Sequence, residues 1–279
     1  AWNQIATVAP NVTTYTHTGL ATNQYYYYRV RAVSSAPEYS DYTPAVSART
    51  ELFSLIPQID FAGMQFGRID IADYDNDGAY DIALTGEDPF GSPASMLYRN
   101  NGNGDLSYIF LAGWTGAFES DLAWADYNGD GRMDVAIVGD RWGDGIARLY
   151  RNNGDGSFSN VTPTNWVGLS DAGLAWGDYD NDGDLDIVMT GYDPLADHLA
   201  TPLYRNDGSG EFTLIYIGDY GLFAPSLTWG DYDNDGDLDL AIAGGNWDGE
   251  PEIYLLRNDG NDTFTPVATD WAEIGRAHV

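Results

Sequence analysis

From Phe61 onward the chain repeats itself, and a repeat restricts the possible folds more than any other feature of a sequence. Asp73-Tyr74-Asp75-Asn76-Asp77-Gly78-Ala79-Tyr80-Asp81 returns as Asp126-Tyr127-Asn128-Gly129-Asp130-Gly131-Arg132-Met133-Asp134. It returns again from Asp178 to Asp186 and from Asp231 to Asp239, at intervals of 53, 52 and 53 residues. A second motif keeps step: Tyr98-Arg99-Asn100, Tyr150-Arg151-Asn152, Tyr204-Arg205-Asn206 and Leu256-Arg257-Asn258. Two motifs locked to one period predict a stack of structural units, each too small to bury its apolar face alone.

Each unit contains four strand-like runs. In the second they are residues 122–127, 134–138, 147–152 and 158–162, with the acidic loop between the first two and Asn153-Gly154-Asp155-Gly156 between the last two. Asn-Gly and Asp-Gly pairs are strong hairpin signals. Four antiparallel strands per fifty-odd residues describe a propeller blade. Strand alternation then puts the acidic loops and the Asn-Gly hairpins at one end of each blade. The second-to-third connections lie at the other. No run shows a helical period, and 33 Gly with 20 Tyr suit short strands and tight turns. The expected class is all-β.

The acidic loops have the chemistry of calcium sites. Asp or Asn fills positions one, three and five, Gly fills position six, and Asp fills position nine in all four copies. Calcium takes six to eight oxygens, with position seven giving its backbone carbonyl, so the side chain there is free to vary. The expected ligands are Asp73, Asp75, Asp77, Ala79 and Asp81; Asp126, Asn128, Asp130, Arg132 and Asp134; Asp178, Asp180, Asp182, Asp184 and Asp186; and Asp231, Asp233, Asp235, Asp237 and Asp239. About four ions are implied, one per repeat, with the second loop weakest because Asn128 replaces an acid. Position twelve is Leu84, Ile137, Met189 or Ile242, in apolar strand, where an EF-hand needs Glu. Asp and Asn also make good turns unaided. Yet so many carboxylates in nine residues repel one another without a cation.

These loops, with the Phe66-Gly67 step before the first, resemble the FG-GAP repeats of the integrin α-subunit propeller, and still more the bacterial VCBS repeats. The resemblance covers roughly residues 57 to 272 and implies calcium at the loop positions of a propeller usually of seven blades. Four blades would then be an incomplete ring.

Residues 1–50 differ in character. The run Tyr26-Tyr27-Tyr28-Arg29-Val30-Arg31-Ala32 alternates and predicts a strand with Tyr26, Tyr28, Val30 and Ala32 on one face. Leu20 sits at the corner entering it, where a Tyr hydroxyl can bond back to the backbone, and residues 43–50 read as a closing strand. This segment resembles the C-terminal half of a fibronectin type III sandwich. The expected organisation is a partial sandwich over 1–50, the propeller repeats over 51–272, and at 273–279 a translated sequencing-adapter scar.

Charge narrows the partners. There are 43 Asp plus Glu against 12 basic residues, all Arg, for a net charge of -31. Binding to nucleic acid or to an anionic membrane needs a basic surface that this chain lacks. No apolar run is long enough for membrane insertion. With no Cys, thiolate metal sites and disulfides are excluded. His17, His198 and His278 lie in unrelated segments, so no catalytic arrangement is read and the chain is expected not to be an enzyme. Repeat-locked Trp124, Trp176 and Trp229, and Trp114, Trp166, Tyr220 and Trp271, are expected in the blade cores. Arg99, Arg151, Arg205 and Arg257 are expected to pair with carboxylates near the loops.

Phe90, Trp142, Tyr192 and Trp247, in the second-to-third connections, are candidates to contact a ligand. The expected function is a calcium-binding module, monomeric, of a secreted or cell-surface bacterial protein, engaged in adhesion or binding of an extracellular glycan or protein. The alternatives are an accessory region of a secreted polysaccharide-degrading enzyme and a structural spacer.

Overall fold

The computed structural model describes residues 3–9, 15, 17–18, 20–21, 25–32, 39–40, 42–49, 63–103, 105–111, 113–208 and 210–267. The chain divides into two compact units, Ala1–Gln58 and Ile59–Val279. The boundary expected at 50/51, Trp271, His278 and the supposed scar at 273–279 lie outside the described residues. Among the described residues there is no helix; every element is a strand.

In the first unit β1 (Tyr25–Tyr28) pairs antiparallel with β2 (Val46–Arg49). Tyr26 and Tyr28 share the less exposed face as expected, and Ala21 N–H donates to the Tyr26 hydroxyl at 2.9 Å. The alternation does not continue. Val30 and Ala32 are exposed, while Arg29 and Arg31 are half-buried. The guanidinium of Arg29 lies 3.9 Å from the Tyr42 ring and that of Arg31 3.8 Å from the Tyr39 ring. Stacking a weakly hydrated cation on an aromatic face outweighs covering one Val and one Ala.

The second unit holds four antiparallel meander sheets, one per repeat. The first is β3 (Gln65–Ala72), β4 (Asp81–Glu87), β5 (Pro93–Asn100) and β6 (Leu106–Ile109). The second is β7 (Phe118–Ala125), β8 (Asp134–Arg141), β9 (Asp144–Asn152) and β10 (Phe158–Asn160). The third is β11 (Ser170–Gly177), β12 (Asp186–Asp193), β13 (His198–Ala200), β14 (Leu203–Asn206) and β15 (Phe212–Ile215). Its third strand is split at Pro202, which has no N–H to give to a ladder. The fourth is β16 (Phe223–Gly230), β17 (Asp239–Gly245), β18 (Pro251–Asn258) and β19 (Phe264–Pro266).

The core lies between successive sheets. Tyr74, Ala83 and Leu97 of the first sheet pack with Leu122, Ile137 and Tyr150 of the second, and the pattern repeats at the next two contacts. At each contact the loop Tyr stacks on the following sheet's Trp: Tyr74 on Trp124, Tyr127 on Trp176, Tyr179 on Trp229, with centroids 6.1 to 6.4 Å apart. Trp114, Trp166 and Tyr220 join the same clusters, as expected. Polar links cross too. Asp70 Oδ2 accepts from Trp124 N, and Asp121 Oδ2 from Leu174 N.

The first strand of the second sheet begins at Phe118 rather than at the expected residue 122, and the first strand of every sheet contains a bulge. Ladder register shifts between Phe118 and Asp121 and at the matching place in the other three sheets. One residue in each bulge is left-handed: Phe66, Glu119, Asp171 and Ala224, with φ of 44 to 53°. The facing strand answers with a glycine. A Cβ on Gly139 would stand 2.4 Å from the Ser120 Cβ. Gly139→Ala is therefore expected to lower unfolding stability by about 1–3 kcal/mol, measured by urea denaturation; an unchanged midpoint would mean that the bulge yields freely.

Candidate metal centre

Each acidic loop is folded by its own side chains before any ion is considered. At position one, Asp73 takes Asp77 N–H on Oδ1 and Gly78 N–H on Oδ2, at 3.0 and 2.9 Å. Asp126, Asp178 and Asp231 do the same in their loops. The position-five carboxylate turns inward to its own loop: Asp77, Asp130, Asp182 and Asp235 each accept the N–H of position seven. The glycine at position six has φ of 82 to 98°, which a side chain would resist. Position four is left-handed as well: Asn76, Gly129, Asn181 and Asn234, with φ of 59 to 66°. Asn and Gly are the residues that tolerate this region best. That requirement went unread in the sequence, although the residue types there announce it.

Position nine opens the second strand and is buried in all four sheets: Asp81, Asp134, Asp186 and Asp239. Its Oδ1 accepts the backbone N–H of the Asn in the Tyr-Arg-Asn motif, at 2.7 to 2.8 Å. In the first, third and fourth loops its Oδ2 accepts from the Tyr at position two. The Asn itself is the functional residue that sequence reasoning passed over in favour of its neighbour Arg. Asn152, Asn206 and Asn258 each donate through Nδ2, at 2.7 Å, to the loop Tyr carbonyl of the preceding sheet.

Positions one, three and nine converge. Carboxylate oxygens of Asp73, Asp75 and Asp81 lie within 4.8 Å of one another, as do those of Asp178, Asp180 and Asp186, and of Asp231, Asp233 and Asp239. Position five stands outside these groups, and among the described residues the second loop forms none. The oxygens fit a hard cation. A carboxylate oxygen that has accepted one N–H keeps a free lone pair. Asp75 Oδ1 is buried with no hydrogen-bond partner at all, which costs free energy unless a cation takes it. With no His or Cys among them, the groups suit calcium better than a transition metal.

The expected arginine pairing is met in part. Arg99 bridges Asp75 and Asp77, and Arg205 reaches Asp180 at 3.9 Å while holding Asp207 and Asp262 more closely. Arg257 pairs instead with Asp259 in the adjoining hairpin. Arg151 lines an open cleft of about 580 Å³ beside the second loop, together with Arg132, Tyr127 and Asp130.

At the opposite ends of the sheets, the acids and amides of the second-to-third connections serve the turns. Asp88 Oδ1 accepts Phe90 and Ser92 N–H, Asp140 accepts Gly143 N–H, Asp193 accepts Leu195 N–H, and Asn246 accepts Asp248 N–H. The turns hold an apolar residue out to solvent in every sheet: Phe90 is 91% exposed, Trp142 66%, Leu195 95% and Trp247 58%. Leu195 was not singled out from sequence. Tyr192 is only half exposed and packs with Phe223 and Trp247, with centroids 5.2 to 6.0 Å apart in this trio. His17 and His198 stand in separate units.

Comparison with known families adds one finding. The sequence model of the FG-GAP-like repeat matches residues 73–137 and again 126–189. Each match runs from one acidic loop through the next and into the second strand beyond it. Residues 73–189 of the second unit therefore carry FG-GAP-like repeats, which supports a β-propeller-type repeat region. No curated protein matches the chain.

Burial pushes the Asp134 and Asp186 carboxyls up to about 7, against an ordinary 3.8, and raises Asp81 as well. Because the folded state holds these protons more tightly, metal-free stability falls as pH rises from about 4 through 7. A bound cation would reverse the preference at Asp81 and Asp186. The stability added by millimolar calcium over a chelated sample should accordingly be larger at pH 8 than at pH 5, as read by thermal melting. An increment independent of pH would contradict this assignment.

Proposed function

We propose that the second unit is a calcium-binding propeller module of a secreted or surface-attached bacterial protein, used to hold an extracellular glycan or protein ligand. The observation that carries the reading is the convergence of positions one, three and nine in three loops, with Asp75 Oδ1 buried and unpaired. Loops of this kind in extracellular modules fill where calcium is plentiful. In this reading the ions brace the sheets and take no part in chemistry. The apolar faces of the outermost sheets accord with flanking blades that complete a ring. Ile69 and Ile71 are more than half exposed where their counterparts Leu122 and Trp124 pack against the preceding sheet, and Tyr232 is 44% exposed where Tyr74, Tyr127 and Tyr179 are buried. For the first unit, the Tyr26 hydroxyl holding Ala21 N–H supports the fibronectin type III reading.

The ligand is assigned to the end carrying Phe90, Trp142, Leu195 and Trp247. Trp142 supports this most directly. It occupies the first place of a two-residue turn between Arg141 and Asp144, with φ of 62°, followed by Gly143 at 90°. Asn, Asp or Gly is the ordinary occupant of such a turn. A bulky aromatic there is strained at about 1–3 kcal/mol and is kept where function uses it.

Two measurements test the proposal. An ion at ten times its dissociation constant stabilises by about 1.4 kcal/mol, so filling several sites should raise the melting temperature by on the order of 10 °C over the chelated protein. Equal melting in both conditions refutes the bracing role. On an array of neutral and acidic glycans, Trp142→Asn should lose most of the signal of the unaltered chain while melting no lower. Undiminished binding would remove Trp142 from the ligand site.

A further inference from the structure

We infer that the second loop takes no divalent cation, and that the chain holds three ions rather than the four that its repeat number implies. The inference rests on the calcium reading of the other three loops. It comes from what occupies the place of the ion. Position three is Asp75, Asp180 or Asp233 in the converging groups, and Asn128 in the second loop. Asn128 uses both ends of its amide: Nδ2 donates to Asp134 Oδ2 at 3.1 Å and Oδ1 accepts Asp130 N–H at 3.0 Å. The amide thus presents its positive end to the buried position-nine carboxylate, where the other loops offer a second carboxylate oxygen. That oxygen of Asp134 is satisfied without an ion.

Position seven supplies the charge. It is Ala79, Asp184 or Asp237 elsewhere, and Arg132 here. The Arg132 guanidinium places Nη2 2.5 Å from Asp130 Oδ2 and donates through Nε to the Asn152 carbonyl at 3.1 Å. It ties the loop to the hairpin beside it. The third and fourth loops each hold five carboxylates in nine residues, whereas the second holds three and a guanidinium. Calcium affinity follows the charge of the ligand set. Arg99 also reaches the first loop, but it comes from β5, pairs with Asp75 Oδ2 and Asp77 Oδ2, and leaves Asp75 Oδ1 buried without a hydrogen-bond partner, an oxygen still open to an ion. Only the second loop sets an amide at position three and a guanidinium at position seven among its acids.

The test counts ions on the whole chain. Equilibrium dialysis against radioactive calcium should give three ions per chain. Long-wavelength anomalous diffraction from crystals grown in calcium should place them at the first, third and fourth loops. Four ions with a peak at the second loop would overturn the inference. The paired substitution Asn128→Asp with Arg132→Asp rebuilds the third loop's ligand pattern and should raise the count to four. The single variant Asn128→Asp, with thermal melting as a check on folding, guards against misfolding of the pair. A count that stays at three in a folded double variant would overturn the roles given to Asn128 and Arg132. Finding no ion at any loop would instead refute the calcium reading itself, and the inference with it.

Discussion

The repeat region depends on a buried carboxylate. Asp81, Asp134, Asp186 and Asp239 sit at the first residue of each second strand, sealed from solvent, and each takes a backbone N–H from the third strand of its own sheet. A lone buried anion is unfavourable, and its cost falls only if its lone pairs are used and its charge balanced. The rest of the architecture follows from meeting those two demands. Backbone amides use the lone pairs, which fixes where the third strand starts its turn. The third-strand Asn then reaches the Tyr carbonyl of the preceding sheet, so satisfying one aspartate also fastens two sheets together.

Charge balance is met in two ways. Three loops bring positions one and three to the same place and create a site for a cation. The second uses Asn128 and Arg132. On the inference above, the same device, written into four copies, would depend on calcium in three of them and not in the second. The two core clusters that flank the second sheet include Ala136, Ile137, Val138 and Leu149, all fully buried. On the calcium reading proposed above, a sheet whose loop is closed by its own side chains would serve as an anchor while its neighbours respond to the ion. At the far ends of the sheets the constraint is absent. There the turns are held by Asx-type hydrogen bonds, and the exposed position is free to carry Phe, Trp or Leu.

Much of this was legible in the sequence, because one residue type at one offset met one physical need. Gly at position six, Asp at one and nine, and the Asn-Gly turns each fix a local conformation. Their recurrence at one period gave the sheets. The first-strand bulge was not legible. Its left-handed residue is Phe66, Glu119, Asp171 or Ala224, an aromatic, two acids and a methyl, none of them the Gly or Asn that most favours this region, and the conformation is imposed by the sheet around it. The only trace is the facing glycine, whose reason lies in a contact that no local pattern records. Asn152 and its equivalents were overlooked because their partners are some 78 residues away. Asn76, Asn181 and Asn234, at the position that went unread, form the left-handed turn, and Asn76 and Asn181 also donate to the next loop, to Gly131 O and Asp237 Oδ1. In the first unit, period two failed at Val30 because stacking of Arg29 and Arg31 on tyrosine rings outweighed it.

The central claim is that a cation locks loops whose acids cannot otherwise sit together. Hydrogen exchange at the position-five and position-six amides, which donate to the position-one carboxylate, reads that lock directly. In chelator, the amides of Asp77, Gly78, Asp182, Gly183, Asp235 and Gly236 should exchange quickly, and millimolar calcium should slow them at least tenfold. Those of Asp130 and Gly131 should change little. Exchange at all eight positions that is the same with and without calcium would contradict the account.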